Sequence, residues 1–306
     1  MKWSMGLILG VGPCLVFGAS VSQGEWKMRV HRGATFEERA LADIDSLTFY
    51  DEPMVLIPAG TFTMGSPTSE PGRVTDETQH QVTLTHAMYV SKYEVTQSEW
   101  QAVMGWNTHP GVNRPVEVLT WYDAVSYCNL RSGGAGLTAA YTITGATYSG
   151  NHITNATVTW NQAANGYRLL TEAEWEYACR ATSTTAFCNG AITNISCSPL
   201  DPNLDQVGWY CGNASSVTHD VGGKTANAWG LKDMHGNVLE WCWDWYGTYP
   251  TGPLTDPTGP ASGSMRVLRG GAWINSARYC RSATRSGDFP HVMGGDIGLR
   301  LSMTAP

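Results

Sequence analysis

Two short segments of the 306-residue chain carry residue types that could do chemistry. The first is the loop from Asp233 to Glu240, which has an acidic residue at each end and Gly236 between them. Hard cations such as Ca²⁺ prefer several oxygen ligands, and a loop of this kind offers two carboxylates together with turn carbonyls. The loop is therefore a candidate calcium site. The alternative is that the two carboxylates only fix the loop through hydrogen bonds.

The second segment surrounds Cys280, close to the C-terminus. Aromatic and small polar residues cluster around this cysteine: Trp273, Asn275, Ser276, Arg278, Tyr279, Phe289 and His291. Aromatic side chains give rigid contact area, and polar neighbours give adaptable hydrogen bonds. We therefore predict a ligand-binding face here, for a protein, a peptide or a glycan. Cys280 itself is either a catalytic thiol or half of a structural disulfide.

Residues 1–20 have the pattern of a signal peptide. Lys2 supplies the positive start, Met5–Phe17 is an apolar run, and residues 18–20 are small enough for cleavage. A short membrane anchor is the alternative, but the run is short for a bilayer span. We predict export, to the periplasm, the cell surface or the medium, with no transmembrane helix after cleavage.

Cysteine usage agrees with export. The chain has eight cysteines, and removal of Cys14 with the leader leaves seven. In an oxidising compartment most of these should pair, and an odd number leaves at least one thiol free. A Cys188–Cys197 bridge is our first prediction and a Cys242–Cys280 bridge is our second, with the full connectivity left open.

Bulk composition excludes some classes of protein. Charged residues make up 15 % of the chain, which also contains 34 glycines and 13 tryptophans. This composition is typical of a loop-rich globular domain and not of a disordered chain. The formal net charge of −7 argues against a nucleic-acid partner, because phosphate binding needs a basic surface.

The hydrophobic pattern predicts one main domain over residues 53–304. Before it, residues 21–52 form a short strand or linker segment, in which Met28–His31 and Asp45–Phe49 alternate like strands. Within the domain, residues 54–65 and 80–94 alternate in the same way. The early part of the domain is therefore expected to contain strands.

Helices are predicted to begin after Thr96, Thr120 and Thr171. Each threonine is followed three residues later by an acidic residue, which is the spacing of a capping box. The second half of the chain is rich in glycine and tryptophan and has few periodic segments. Together these patterns predict an α+β domain in which irregular loops dominate the C-terminal half.

Eight segments, in order, resemble the formylglycine-generating (sulfatase-modifying factor) family. They are Ile57–Gly60 with Met64-Gly65, Tyr93–Thr96 with Trp100, Pro115-Val116 before Trp121–Ala124, Tyr167–Glu176, Asn227–Leu231, Gly236–Val238 with Glu240-Trp241, Arg269–Trp273, and Gly298–Leu301. They cover residues 54–302. The resemblance implies a C-type-lectin-like α+β fold with little regular secondary structure.

The resemblance also implies a copper chemistry that this chain departs from. Oxidases of the family carry two cysteines, five residues apart, that hold copper and activate dioxygen to convert a sulfatase cysteine to formylglycine. Here Asn275 stands at the first position and Cys280 at the second. An amide cannot supply the soft thiolate that Cu(I) prefers, so we do not expect the copper site. Whether the chain is an enzyme stays open, with the oxidase as the alternative to a binding module.

For calcium, the resemblance assigns ligands by position. They are the side chains of Asp233 and Glu240 and the carbonyls of Gly236 and Val238. A second family site would fall near Asn203 and Leu204.

A third hypothesis comes from proteins of this fold that are variable receptors of diversity-generating retroelements. In those proteins the residues after the Gly-Gly-Trp stretch are randomised at asparagine codons. Residues of types reachable from such codons are Ile274, Asn275, Ser276, Tyr279, Thr284, Ser286, Gly287, Asp288, Phe289 and Val292. Met293 is not reachable. A ligand- or partner-binding role is nevertheless the leading expectation, and both the oxidase and the variable receptor are kept as alternatives.

Overall fold

The computed structural model describes residues 17–22, 25–32, 35–40, 54–109, 111 and 113–305. The chain divides into two compact units, Met1–Asp51 and Glu52–Pro306. In the first unit an antiparallel meander joins three strands in sequence order: β1 (Phe17–Ser22), β2 (Glu25–Arg32) and β3 (Thr35–Ala40).

The predicted strand Met28–His31 lies within β2. The predicted strand Asp45–Phe49 and the leader residues up to 16 lie outside the described residues. The predicted signal peptide therefore stays a prediction.

The second unit is built from short strands, few helices and long loops. Its strands are β4 (Met54–Ile57), β5 (Gly60–Met64), β6 (His80–Leu84), β7 (Met88–Ser91), β8 (Tyr141–Ser149), β9 (His152–Trp160), β10 (Gly208–Trp209), β11 (His235–Gly236), β12 (Leu239–Trp245), β13 (Leu254–Thr255), β14 (Arg266–Arg269), β15 (Ser286–Asp288), β16 (Ile297–Gly298) and β17 (Ser302–Thr304). Its helices are α1 (Gln97–Met104), α2 (Trp121–Gly134), α3 (Glu172–Arg180) and α4 (Leu204–Val207), with a 3₁₀ turn at Ala277–Cys280. The predicted loop-rich α+β class is confirmed.

Complete capping boxes begin the three longer helices. Thr96, Thr120 and Thr171 each accept a hydrogen bond from the backbone N–H three residues on, and the acidic side chain at that position accepts one in return. This pairing satisfies two of the amides that every helix N-terminus leaves open. The three predicted helix starts are confirmed.

Tryptophans form much of the core. Trp100, Trp121, Trp175 and Trp241 are all buried. One core cluster lies around α1, α2 and β12, and a second lies around α3, β4 and β7. Because few regular elements are present, these large side chains supply much of the apolar burial that stabilises the domain.

One sheet brings the candidate site together. Its strand order is β15-β14-β12-β16, with Glu240 of β12 opposite Arg269 of β14 on one side and Gly298 of β16 on the other. Strand β14 is antiparallel to β12, and β16 is parallel to it. The segments before β12, after β14 and before β16 therefore emerge at the same end of the sheet.

Candidate functional site

The loop from Asp233 to Glu240 is closed by internal contacts. Arg300 binds both carboxylate oxygens of Glu240, with its Nε 2.9 Å from Oε1 and 3.1 Å from Oε2, and Trp175 donates its indole N–H to Oε2 at 2.6 Å. All three side chains are buried. Glu240 is thus already neutralised by an arginine, and it would bind a cation only if Arg300 gave up these contacts.

At the other end of the loop, the Asp233 carboxylate is not paired with an arginine side chain as Glu240 is. Its Oδ2 accepts the Gly222 amide at 2.5 Å, whereas its Oδ1 is buried and has no hydrogen-bond partner among the residues that the structure describes. Burial raises the pKa of Asp233. Burial, followed by repulsion from Asp233, also raises the pKa of nearby Glu94 well above its usual range. Burial thus disfavours the ionised forms of both carboxyls, and a bound cation would offset this penalty.

The backbone of this loop is held in place by its neighbours. Gly236 has φ of 90°, and a Cβ on it would lie 2.0 Å from the Trp209 carbonyl oxygen. The side chain of Asn237 donates to Glu94 and accepts the amide of His219. Of the predicted calcium residues, Asp233 therefore offers a free carboxylate oxygen and Glu240 does not. Among the described residues, no three His, Cys, Asp or Glu side chains are grouped closely enough to hold a metal ion.

Cys280 lies at the end of the 3₁₀ turn and is completely buried. Burial raises the pKa of its thiol to about 12, so the side chain is protonated at neutral pH. Gly271, with φ of 72°, packs directly on it, because a Cβ there would lie 2.7 Å from the Cys280 sulfur. The cysteine therefore packs like a small apolar residue.

Asn275 fixes the turn that precedes Cys280. Its side-chain Oδ1 accepts the Ala272 amide at 2.9 Å, and its backbone carbonyl accepts the Cys211 amide at 3.0 Å. The position at which the family resemblance places the first cysteine is thus used for local structure.

Both predicted disulfides are wrong. The bridge joins Cys197 to Cys211, while Cys188, Cys242 and Cys280 are free thiols. Cys242 packs in the core cluster around α3, whereas Cys280 packs in a separate cluster with Phe187 and Tyr210. Sequence proximity favoured Cys197 with Cys188, but the chain after Cys197 folds back through α4 and brings Cys211 to it.

The loop closed by the disulfide, residues 197–211, and the two residues before it form hydrogen bonds to the predicted ligand-binding segment. The amide of Arg278 donates to the Ile195 carbonyl at 3.2 Å, and the amide of Ala277 donates to the Ser196 carbonyl at 3.5 Å. Together with the bond from Cys211 to Asn275, these contacts hold the 3₁₀ turn against the bridged loop.

Apolar side chains point outward from this segment. Ile274 is 55 % exposed, Tyr279 43 %, Phe289 48 % and Met293 39 %. We call these four residues the apolar rim.

The remaining predicted ligand-binding residues differ in their exposure and in their contacts. Arg278 stacks on the Tyr279 ring at 4.6 Å, and His291 stacks on Phe289 with ring centroids 5.8 Å apart. Trp273 is half-buried and donates its indole N–H to the Gly295 carbonyl. Ser276 precedes the 3₁₀ turn without a side-chain capping bond.

A pocket of about 180 Å³ opens beside the rim, where β12 begins and β14 ends. Of the predicted residues, Asn275 and Tyr279 line it. Thr284 and Ser286, which the variable-receptor hypothesis named, also line it, whereas Arg269 and Arg285 were not predicted as site residues.

The two arginines are held in place by carboxylates from α3. Arg285 binds Glu172 at 2.6 and 2.8 Å, and Arg269 binds Glu176. These pairs raise the pKa of both guanidiniums beyond the usual arginine range. The paired residues lie about a hundred positions apart in the chain, which explains why no local sequence signal could identify them.

A sequence profile of the "Sulfatase-modifying factor enzyme 1-like domain" matches residues 43–305. This chain belongs to the sulfatase-modifying factor family. The match and the fold confirm the resemblance predicted from the eight segments. None of the helices in the described part of this family member is both long and apolar enough to cross a bilayer.

Individual relatives of this sulfatase-modifying factor domain have different names. Chaperone protein LppX of Paenibacillus barcinonensis is 36 % identical, over 70 % of this chain and 79 % of its own length. The formylglycine-generating enzyme of Streptomyces coelicolor is 34 % identical, over 48 % of this chain and 52 % of its own. Among solved structures, Treponema denticola variable protein 1 has a TM-score of 0.71 at 31 % identity, over 91 % of this chain and 99 % of its own.

Proposed function

We propose that this sulfatase-modifying factor domain is a binding module that uses its apolar rim and the adjoining pocket to bind a protein ligand. The observation that carries the proposal is the two-sided structure of the segment from Ile274 to Met293. Its inner side chains, such as Cys280, are buried, while the four rim residues face outward. Exposed aromatic residues on a rigid support are typical of recognition surfaces.

The chemistry of Cys280 supports binding over oxidation. A thiolate is the form that ligates copper, and the buried thiol of Cys280 has a pKa raised to about 12. The partner position carries Asn275, whose side-chain oxygen is already bonded to the Ala272 amide. A two-thiolate copper site at these positions would need both a second sulfur and a rearranged turn.

Two similarities support a protein as the ligand. One relative that covers most of this chain is named a chaperone protein. A structure that superposes over nearly all of the chain is named a variable protein. The second candidate function, a variable receptor of a diversity-generating retroelement, rests on that structure and on the residue types of positions 274–292. A near-identical template repeat downstream in the genome would support it, and absence of a repeat would contradict it.

The binding proposal is tested by selecting peptides from a displayed random library on the full-length protein. We expect selected peptides to lose binding to a Tyr279→Ala or Phe289→Ala variant. Tyr148→Ala is the matched control, because Tyr148 is 65 % exposed but lies on the β8–β9 hairpin. Peptides that bind all three variants equally would contradict the proposal.

The oxidase alternative is tested in parallel. We expect the protein to bind no stoichiometric Cu(I) through Cys280, and to leave a Cys-x-Pro-x-Arg peptide unchanged in the presence of oxygen. Copper binding that is lost in Cys280→Ser, together with oxygen-dependent conversion of the peptide, would establish the oxidase instead.

We also propose that calcium stabilises the Asp233–Glu240 loop, with Asp233 as the carboxylate ligand. A hard cation would give the buried Oδ1 of Asp233 a partner and would favour the ionised forms of Asp233 and nearby Glu94, whose pKa values burial raises. We expect millimolar calcium to raise the melting temperature of the chelator-treated protein, but not that of Asp233→Ala. An equal response in both proteins would remove Asp233 as a ligand.

A further inference from the structure

The pocket beside the apolar rim has a distinctive charge. Arg269 and Arg285 both line it, and no aspartate or glutamate does. The chain as a whole carries a formal charge of −7, so a lining with two guanidiniums and no carboxylate differs from the average surface.

The carboxylates that pair with these arginines do not cancel all of the positive charge. Glu176 is shared between Arg269 and Arg180, and Glu172 binds Arg285 through both of its oxygens. Three guanidiniums thus share two carboxylates. Asp244 accepts the Glu172 amide, and burial followed by repulsion from Glu172 raises its pKa well above the usual range. Asp244 forms no ion pair with any of these three guanidiniums, so its carboxyl does not act as their third partner.

One donor in the pocket lining has no partner. The side chain of Arg269 is completely buried, and its Nε makes no hydrogen bond to any described residue. The closest carboxylate oxygen, Oε1 of Glu172, is 3.9 Å from that Nε. A buried donor without an acceptor leaves part of the guanidinium charge uncompensated, and this charge attracts an anionic group placed in the adjoining pocket.

The entrance to the pocket is suited to a peptide. Ser286, which is exposed, and Tyr279 of the apolar rim both line it. Phe289 of the rim is also exposed. Apolar side chains that neighbour an acidic residue in a peptide can contact these aromatic rings.

We propose that the pocket binds the carboxylate of an acidic side chain on a protein ligand, beside apolar ligand residues that contact the rim. The inference rests on the proposed binding function and adds the class of ligand. It assigns Arg269 and Arg285 as the cationic base of the pocket.

The test is an amide-resolved NMR titration of the full-length protein with N-acetylglutamate amide, and with N-acetylglutamine amide as the neutral, nearly isosteric probe. We expect saturable shifts of the Gly270 and Gly271 amides. The glutamate probe should bind about tenfold more tightly, which is the usual effect of one charge-assisted hydrogen bond. Equal affinity of the two probes would overturn the inference.

A pair of variants at the pocket entrance sharpens the test without removing the buried arginines. Ser286→Asp places a carboxylate at the entrance and should weaken binding of the glutamate probe about tenfold more than the neutral, nearly isosteric Ser286→Asn does. Equal weakening by both variants would contradict a charge effect. Tighter binding of glucuronate than of the glutamate probe would indicate a glycan ligand and would overturn the proposal of an acidic protein side chain.

A third probe separates this inference from the proposed function. N-acetylphenylalanine amide should shift the amides of Tyr279 and Phe289. If it does so while the glutamate and glutamine probes bind with equal affinity, the proposed binding face is supported and the proposed carboxylate preference is contradicted. If no probe shifts any amide of the face, both proposals fail.

Discussion

The Asp233–Glu240 loop and the Ile274–Met293 face lie at the same end of one sheet, but their side chains have opposite states. In the loop, Glu240 is buried and bound by Arg300 and Trp175. In the face, four large apolar residues are exposed and the adjoining pocket is lined by charged and polar groups.

The difference indicates where stability and recognition reside. Residues whose polar atoms are satisfied inside the protein hold the sheet end together, and they have little left to offer a ligand. The 3₁₀ turn of the face is held by backbone contacts to residues 195, 196 and 211, and the exposed side chains of the apolar rim are free to bind. Substitutions should therefore affect stability in one region and binding in the other.

The largest effect is expected for Glu240→Ala, which leaves Arg300 buried without its carboxylate. Loss of one partner of a buried ion pair costs about 3–5 kcal/mol. Urea unfolding in the presence of a calcium chelator measures this cost without a contribution from bound metal. A loss below about 1 kcal/mol, the usual worth of an exposed pair, would contradict the closed state of the loop.

Removal of the Cys197–Cys211 disulfide should have the next largest effect. The bridge closes a loop with a sequence separation of 14 residues, and a loop of this length contributes about 3 kcal/mol by restricting the unfolded chain. We expect the double variant Cys197→Ser, Cys211→Ser to lose stability and to weaken peptide binding at the face. Unchanged binding would show that the 3₁₀ turn does not need the loop behind it.

Burial of Asp244, which accepts the Glu172 amide, predicts that stability depends on pH. Its folded pKa is raised, so its favourable contribution is present below the unfolded pKa and is lost as the pH rises through the folded pKa. Asp244→Asn should therefore be more stable than the wild type at pH 7, by about 1.4 kcal/mol for each unit of the raised pKa. The difference should vanish toward pH 4. Unfolding midpoints measured across this range would reveal a constant difference if the prediction is wrong.

The smallest effect on stability is expected at the apolar rim. Tyr279→Ala removes an exposed ring, and such substitutions usually change the free energy of unfolding by less than about 0.5 kcal/mol. The matched Tyr148→Ala variant should behave alike in unfolding but differ in peptide binding. A large loss of stability in Tyr279→Ala alone would make the rim a structural feature.

Local sequence determined the helix starts and the fold class. Thr96 and Glu99 are three residues apart, so their capping box forms from neighbouring residues and does not depend on distant parts of the chain. The eight family segments, read in order, also identified the domain. The residue types at Asn275 and Cys280 predict that a two-cysteine copper site does not form, because an amide has no thiolate form, and this stays a prediction.

Tertiary structure decided the disulfide, the state of Glu240 and the charge of the pocket. Cys197 pairs with Cys211 because the intervening chain turns back through α4, and not because of the distance in sequence. Glu240 meets Arg300 from 60 positions away, and the two pocket arginines meet carboxylates on a helix about a hundred positions earlier. Each of these pairings forms through burial of groups that are far apart in the chain, and a charge can be buried only where its partner is placed beside it.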